Sequence, residues 1–256
     1  MNTLFAFFKK EWMEQVRTGR ALILGIVFVL LGMMNPAIAK LTPWMLELMA
    51  ESMAEIGMST TAVAVDAMTS WQQFFKNMPI GLIVFVLMQS GCFTAEYQSG
   101  TLIPVLTRGL ARHKVVTAKA VMLSLFWTVC YWMCFGITYV YNAYFWDNAV
   151  AKNLLFASAA WWLFGLFAVA ASVFFSTLIS TSAGVLIGTA AVCFLPYALG
   201  MIPEVGKYLP TVLTDGMELL TGSAEVGDRL GALSVTVILT VAFLGASYPL
   251  MKRKKI

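Results

Sequence analysis

Glu96-Tyr97-Gln98-Ser99-Gly100-Thr101-Leu102 sets a carboxylate, hydroxyls and a glycine between the end of an apolar run and a basic stretch, 108–119. A glycine there lets another backbone approach closely, and a hydroxyl beside it can cap a short helix. The string therefore reads as a contact surface, and little else in the chain suits bond chemistry. The only histidine, His113, lies in the basic stretch, so Ser/His and histidine-rich metal chemistry within the apolar runs are excluded. No G-x-x-x-x-G-K-[ST] occurs, so the chain has no P-loop of its own, and energy for any active work must come from a partner. Cys92, Cys130, Cys134 and Cys193 fall within or at the end of apolar runs, in no zinc or redox spacing, and read as small buried hydrophobes. The 16 methionines are scattered rather than clustered at one depth, which fits core filling better than copper ligation. No metal site is expected.

These residues must be positioned by membrane-length helices. A hydrocarbon core of roughly 30 Å takes about 20 apolar helical residues. Six charge-free runs approach or exceed that length, at about 21–39, 78–95, 121–140, 154–179, 183–202 and 230–250. With 60% hydrophobic residues, the sequence predicts a single all-α transmembrane domain over 1–256 and no separate soluble domain. None of the six runs contains Asp, Glu, Lys, Arg or His, so the commonest signature of ion-coupled transport is missing. Phe5-Ala6-Phe7-Phe8 is too short for a signal peptide and leads into Lys9-Lys10 rather than a cleavage site.

Lysine and arginine placement orients the spans. With the N-terminus inside, the inner loops and ends hold twelve of the 17 basic residues and only Glu11, Glu14 and Glu96 of the 13 acidic ones. Both termini are then cytoplasmic, in a cell membrane of the bacterial inner-membrane kind. Lys252-Arg253-Lys254-Lys255 reads as an anchor facing anionic lipid, so the positive net charge needs no nucleic acid.

On the inner side, Phe5, Phe8, Trp12 and Val16 recur at helical spacing with Lys9, Lys10, Glu14 and Arg17 between them, which predicts an interfacial helix over 1–20. From Glu96 to about Lys119, Thr101 caps a short helix with Pro104 in its first turn. Leu102, Ile103, Leu106 and Leu110 form its apolar side, and Arg108, Arg112 and Lys114 the opposite one. Physical chemistry alone leaves two readings of this element: a docking surface for a soluble protein, or a charged loop that only fixes topology.

The order Lys9-Lys10-Glu11, Arg17-Thr18-Gly19-Arg20, two spans, the Glu96 to Leu102 string, then Arg112 and Lys119, resembles the permease subunit of type 2 ABC transporters over essentially the whole chain. Tyr208-Leu209-Pro210 and Leu219-Leu220-Thr221-Gly222 match as well, while Gly109 stands where relatives often have proline. The resemblance implies an elbow helix, a cytoplasmic coupling helix between spans two and three, and short re-entrant outer helices between spans five and six. It assigns Glu96, Gly100, Thr101 and Leu102 to the entry of the coupling helix, and Arg108, Arg112, His113 and Lys114 to its partner-facing or phosphate-facing flank. It further implies two copies of a separate P-loop ATPase subunit, which would carry the ATP and Mg, and a second permease chain, identical or related. The chain itself is then neither an enzyme nor a cofactor binder. Gly184 and Gly188 form a GxxxG step, and Gly25 and Gly32 a heptad pair, suited to close helix packing within or between chains.

On the outer side, Thr42-Pro43 predicts the start of a new amphipathic helix, with Glu47, Glu51 and Glu55 along one stripe. Pro196 is expected to kink the fifth span. The segment 203–229 is expected either to dip into the outer leaflet through Leu213, Met217, Leu219 and Leu220 or to form a plain loop.

The favoured function is an ATP-driven exporter of amphipathic, lipid-like, drug or peptide substrates. Phe126, Trp127, Tyr131, Trp132, Phe135 and Tyr139 are candidates for the pathway or for packing. The alternatives are a non-transporting anchor or regulator of an ATPase, in antimicrobial resistance or sensing, and an ion-coupled carrier.

Overall fold

The computed structural model describes residues 3–54, 65–107, 110–200 and 202–254. Among these there is no strand, and the α-helices in order are α1 (Thr3–Arg17), α2 (Arg20–Ala54), α3 (Ala67–Gln89), α4 (Gly91–Gln98), α5 (Ile103–Thr107), α6 (Arg112–Phe145), α7 (Leu154–Leu178), α8 (Ser182–Leu199), α9 (Pro203–Gly206), α10 (Met217–Thr221) and α11 (Val226–Arg253), with short 3-10 helices at Asn148–Val150 and Pro210–Thr214. Six segments are long and apolar enough to cross a membrane: α2, α3 continued by α4, α6, α7, α8 and α11. Their alternation puts α1, α5, the start of α6 and the end of α11 at one, basic end of the bundle. The acidic residues of the 203–229 segment gather at the other. α7 is the most enclosed span and packs against α6, α8 and α11, whereas α2, α3 and α6 form the opposite flank.

The helices overrun the apolar runs. α2 continues through Pro43 to Ala54, so Thr42-Pro43 is no helix start; the Thr42 hydroxyl donates instead to the Ile38 carbonyl at 2.8 Å. At 35 residues and 1.5 Å per residue, α2 reaches about 52 Å, well past a hydrocarbon core of roughly 30 Å. Glu47 is exposed on this extension, while the Glu51 side chain and Glu55 lie outside the described residues.

Pro36 sits inside the same helix. Lacking an N–H, it frees the carbonyl four residues earlier, and in a bilayer a neighbouring helix must satisfy that oxygen. Gly32 is that residue. The Thr138 hydroxyl of α6 donates to the Gly32 carbonyl at 3.0 Å. Thr138 also accepts from Asn35 at 3.1 Å, and Asn35 accepts from Asn77 of α3 at 2.9 Å, so one polar ladder ties three spans. The approach needs Gly32 itself, because a Cβ there would meet the Cys134 carbonyl at 3.0 Å.

Between the last two spans, residues 202–225 fold over the end of α7 rather than looping free. Leu213, Leu219 and Leu220 are buried, the Lys152 N–H donates to the Leu220 carbonyl at 3.1 Å, and Arg229 donates to the Val212 carbonyl at 2.9 Å while pairing with Glu218.

Gly32→Ala should lower the thermal unfolding midpoint of the detergent-solubilised protein, at an overpacking cost of about 1–3 kcal/mol. Gly25→Ala, seven residues earlier with open space around it, should leave the midpoint unchanged or raise it.

Candidate functional site

The 96–119 segment folds as three pieces rather than one surface helix. α4 carries Glu96 on its buried side, and Gly100 ends it in the left-handed conformation, φ 67°, where a side chain would be strained. The five-residue α5 follows, with Leu102 buried just before it and Ile103 exposed. The Thr101 hydroxyl meets that of Ser99 at 3.0 Å. α6 begins at Arg112, so the residues from Arg112 to Lys119 are the first two turns of the third span. Arg108 and the side chain of Leu106 lie outside the described residues.

That early start buries Lys119 completely. Its ammonium donates to Glu11 at 2.8 Å and to the Cys92 carbonyl at 2.8 Å, and it lies 3.0 Å from Glu96. The ring of Phe93 lies 5.3 Å away. Lys10 closes the circle: it contacts Glu11 at 3.0 Å, Glu14 at 2.9 Å and Glu96. Glu11 and Glu96 thus each bridge two lysines, and the ring binds α1 to α4 and α6. Alongside it, Gln15 of α1 and Gln89 of α3 exchange amide hydrogen bonds of 2.9 and 3.2 Å. The Glu11, Glu14 and Glu96 carboxylates lie within 4.8 Å of one another, and Lys10 supplies the positive charge among them.

α1 therefore docks through a polar face of Glu11 and Gln15 beside Phe7, and turns Phe5, Trp12 and Val16 outward. Sequence reasoning found the outward stripe and missed the inward one. The signal was present: Phe7, Glu11 and Gln15 also recur every four residues.

A second set of contacts joins the same corner to the remaining spans. Arg112 turns inward and donates to the carbonyls of Met251, Lys252 and Lys254 at 3.1, 3.1 and 2.6 Å, satisfying the free carbonyls at the end of α11. Lys254 does the same for α7, reaching Ser176 and Ile179 at 3.1 and 3.0 Å, and its ammonium sits 4.0 Å over the Tyr97 ring. Thr94 meets Ser182 at 2.8 Å, and Gln98 donates to the Ser180 carbonyl at 3.4 Å, which links α4 to the α7–α8 turn. His113 is exposed and Lys114 half-buried.

The third-span aromatics gather elsewhere, in the middle of the bundle. Phe126, Trp127, Tyr131 and Phe135 are buried; Trp127 donates to the Trp162 carbonyl at 3.0 Å and Tyr131 to that of Ser158 at 2.8 Å. Trp132 is half-buried and Tyr139 exposed. Gly165 of α7 makes room for Trp127, since a Cβ there would lie 2.1 Å from its indole. An apolar cavity of about 250 Å³ lies instead between α3, α7 and α8, among Pro79, Leu82, Phe164, Thr189, Cys193 and Tyr197. Gly188 packs α8 on Phe175 of α7, where a Cβ would approach to 2.6 Å, and Gly184 faces Ile179 at the same distance. Both glycines serve contacts within the chain.

Six spanning helices, no strand among the described residues and a multi-helix polar junction at one end define a polytopic membrane protein. Its family follows from comparison: the family model described as "ABC-2 family transporter protein" matches residues 5–255, and the chain belongs to that family of ABC transporter permeases, whose members partner with ATP-binding subunits. It is also similar to the uncharacterized transmembrane protein YxlG of Bacillus subtilis (strain 168), at 22% identity over 249 residues and 95% of each chain.

Burial opposes the charge on Lys10, but its hydrogen bond to Glu96 and the charge of Glu11 outweigh burial and raise it above its ordinary 10.5. For Glu14, burial raises the value, and the hydrogen bond and charge of Lys10 outweigh it, so the carboxyl sits below its ordinary 4.5. The Glu14 contribution is complete above 4.5 and lost as pH falls through its folded value; that of Lys10 is complete below 10.5 and lost as pH rises through its folded value. These two groups should therefore leave stability flat between those limits, with losses confined to the two extremes in a pH series of thermal midpoints.

Lys119→Met leaves two carboxylates buried without their shared cation and should cost about 3–5 kcal/mol. Adding Glu11→Gln and Glu96→Gln should recover part of the loss in the same thermal measurement.

Proposed function

We propose that this chain is the membrane half of an ATP-driven exporter of amphipathic, lipid-like, drug or peptide substrates. Its basic end faces the cytoplasm, with both termini there, in a bacterial inner membrane. Two P-loop ATPase subunits, holding ATP and Mg, dock at that end, and a second permease chain, identical or related, completes the pathway.

The junction around Glu96 carries this reading. α5 is short and exposes Ile103, yet the α4 residues just before it are bound to α1, α6, the α7–α8 turn and, through Tyr97, to Lys254 beyond the end of α11. A displacement imposed at α5 by an ATPase would reach most spans through hydrogen bonds and ion pairs rather than through a flexible loop. Closing of the ATPases on ATP is then the energy input, and the permease supplies no bond chemistry.

The cavity between α3, α7 and α8 supports the substrate class. Its walls are aliphatic and aromatic, and the Thr189 and Tyr197 hydroxyls beside it are hydrogen-bonded to the Val185 carbonyl and to Thr214, which suits an apolar portion of a substrate. In a permease pair, the exposed faces of α8, including Ile187, Phe194 and Leu195, are suited to meeting lipid or the second chain.

The permease expressed with its P-loop ATPase should co-purify with it, and amphipathic substrates should stimulate ATP hydrolysis in liposomes. Ile103→Asp, at an exposed α5 position, should weaken ATPase association at least about tenfold, near 1.4 kcal/mol, without lowering the thermal midpoint of the permease alone. Association without substrate-stimulated hydrolysis would instead mark a regulator of the ATPase.

A further inference from the structure

A second groove, of about 410 Å³, runs between α6, α7 and α11 at the basic end and shares no lining residue with the cavity between α3, α7 and α8. Ala120, Ser124 and Thr128 stand on its α6 wall at intervals of four, all small, opposite Leu166, Leu244 and Tyr248. From Thr117 to Thr128 the groove extends over eleven helical steps, about 16 Å, which is one leaflet of a hydrocarbon core of roughly 30 Å. Its depth and direction therefore match a single acyl chain entering from the basic side.

The mouth of the groove is marked by Thr117 and Tyr248, whose hydroxyls lie 3.1 Å apart. One turn beyond Thr117 on α6 is His113, and one turn beyond Tyr248 on α11 is Lys252; both side chains are exposed. α6 also starts without a side-chain cap, because its N-cap is Ala111, so first-turn N–H groups beside His113 remain to bind an anion. No acidic residue occurs in α6 or α7, and the only one in α11, Asp228, is at the far end. An apolar slot one leaflet long, with the Lys252 cation, the His113 imidazole and uncapped N–H groups at its mouth and no acidic residue of α6, α7 or α11 near them, is complementary to a phospholipid with a net negative headgroup. A zwitterionic lipid would bring its own cation against Lys252.

We propose that this groove is a binding site for an anionic phospholipid, one acyl chain lying along Ala120, Ser124 and Thr128 and the phosphate held by Lys252, His113 and the start of α6. The bound lipid wedges α6 against α11 beside the Arg112 contacts, so it braces the junction from the lipid side and is separate from transported cargo.

The test uses the full chain in nanodiscs of equal parts phosphatidylglycerol and phosphatidylcholine, released for native mass spectrometry. The wild type should keep a phosphatidylglycerol adduct in preference to phosphatidylcholine. Lys252→Gln should reduce that preference about fivefold, the effect of one cation near a headgroup. The Lys252 carbonyl held by Arg112 is untouched by this change. Ser124→Leu, which fills the slot, should remove adducts of both lipids, whereas Ala190→Leu in the other cavity should leave them unchanged. An unaltered lipid preference in Lys252→Gln overturns the proposal, as does an adduct that survives Ser124→Leu. Because Lys252 is exposed, its variant keeps the test decisive even if the Ser124 variant fails to fold.

Discussion

The ammonium of Lys119 has no exposure to solvent, and the arrangement of the basic end follows from that constraint. An isolated charge in such a place is expensive, so carboxylates must be brought to it. Glu96 arrives because the second span continues one more short helix past Ser90, and Glu11 arrives only if α1 folds back against α6. One buried cation therefore fixes the end of one span and the position of the N-terminal helix. Replacement by apolar side chains would hold the helices together as well or better. The ring of ion pairs adds a directional contact that apolar packing lacks, since each carboxylate must reach both lysines.

The same logic of satisfying orphaned groups recurs at the helix ends. Arg112 closes the end of α11 and Lys254 closes the end of α7, so two basic residues that look like surface charge act as caps. At mid-depth Pro36 frees the Gly32 carbonyl, and Thr138 takes it. In lipid the Gly32 carbonyl could not turn to water, so it imposes a contact between α2 and α6. Apolar surfaces can slide past one another, and these polar contacts are what set the packing.

The six spans were legible because twenty-residue apolar runs have few other uses. The ends were less so. An apolar-run criterion stops at Lys119, yet the helix runs on because burial of its charge is compensated by residues far away in sequence. Thr42-Pro43 has the composition of a helix start and yet sits in a helix interior, where α2 continues on both sides of the proline and the Thr42 hydroxyl bonds back to the Ile38 carbonyl. In the 96–119 segment, Gly100 was expected to let another backbone approach, and it instead ends α4 at a positive φ with no backbone close by. Arg112 was not legible either: an arginine beside a basic stretch carries no sign that it will turn inward to a helix end more than a hundred residues on.

The aromatic third span shows why residue type alone underdetermines a pathway. Trp127 and Tyr131 would line a route well if they faced an open space, but Gly165 on α7 leaves room for the indole to fit between helices. Large against small is the general form of close packing, and it consumes the surface that a substrate would need. Between α3, α7 and α8 the pairing breaks down: Pro79 and Thr189 are too small to fill what Trp161 and Phe164 leave, and space remains. The aromatics on α6 thus fill the flank of the bundle that α1 packs against, and the open cavity lies on the flank bounded by the thinly buried α8. The α6 flank is therefore closely packed, and the flank beside α8 keeps an open cavity.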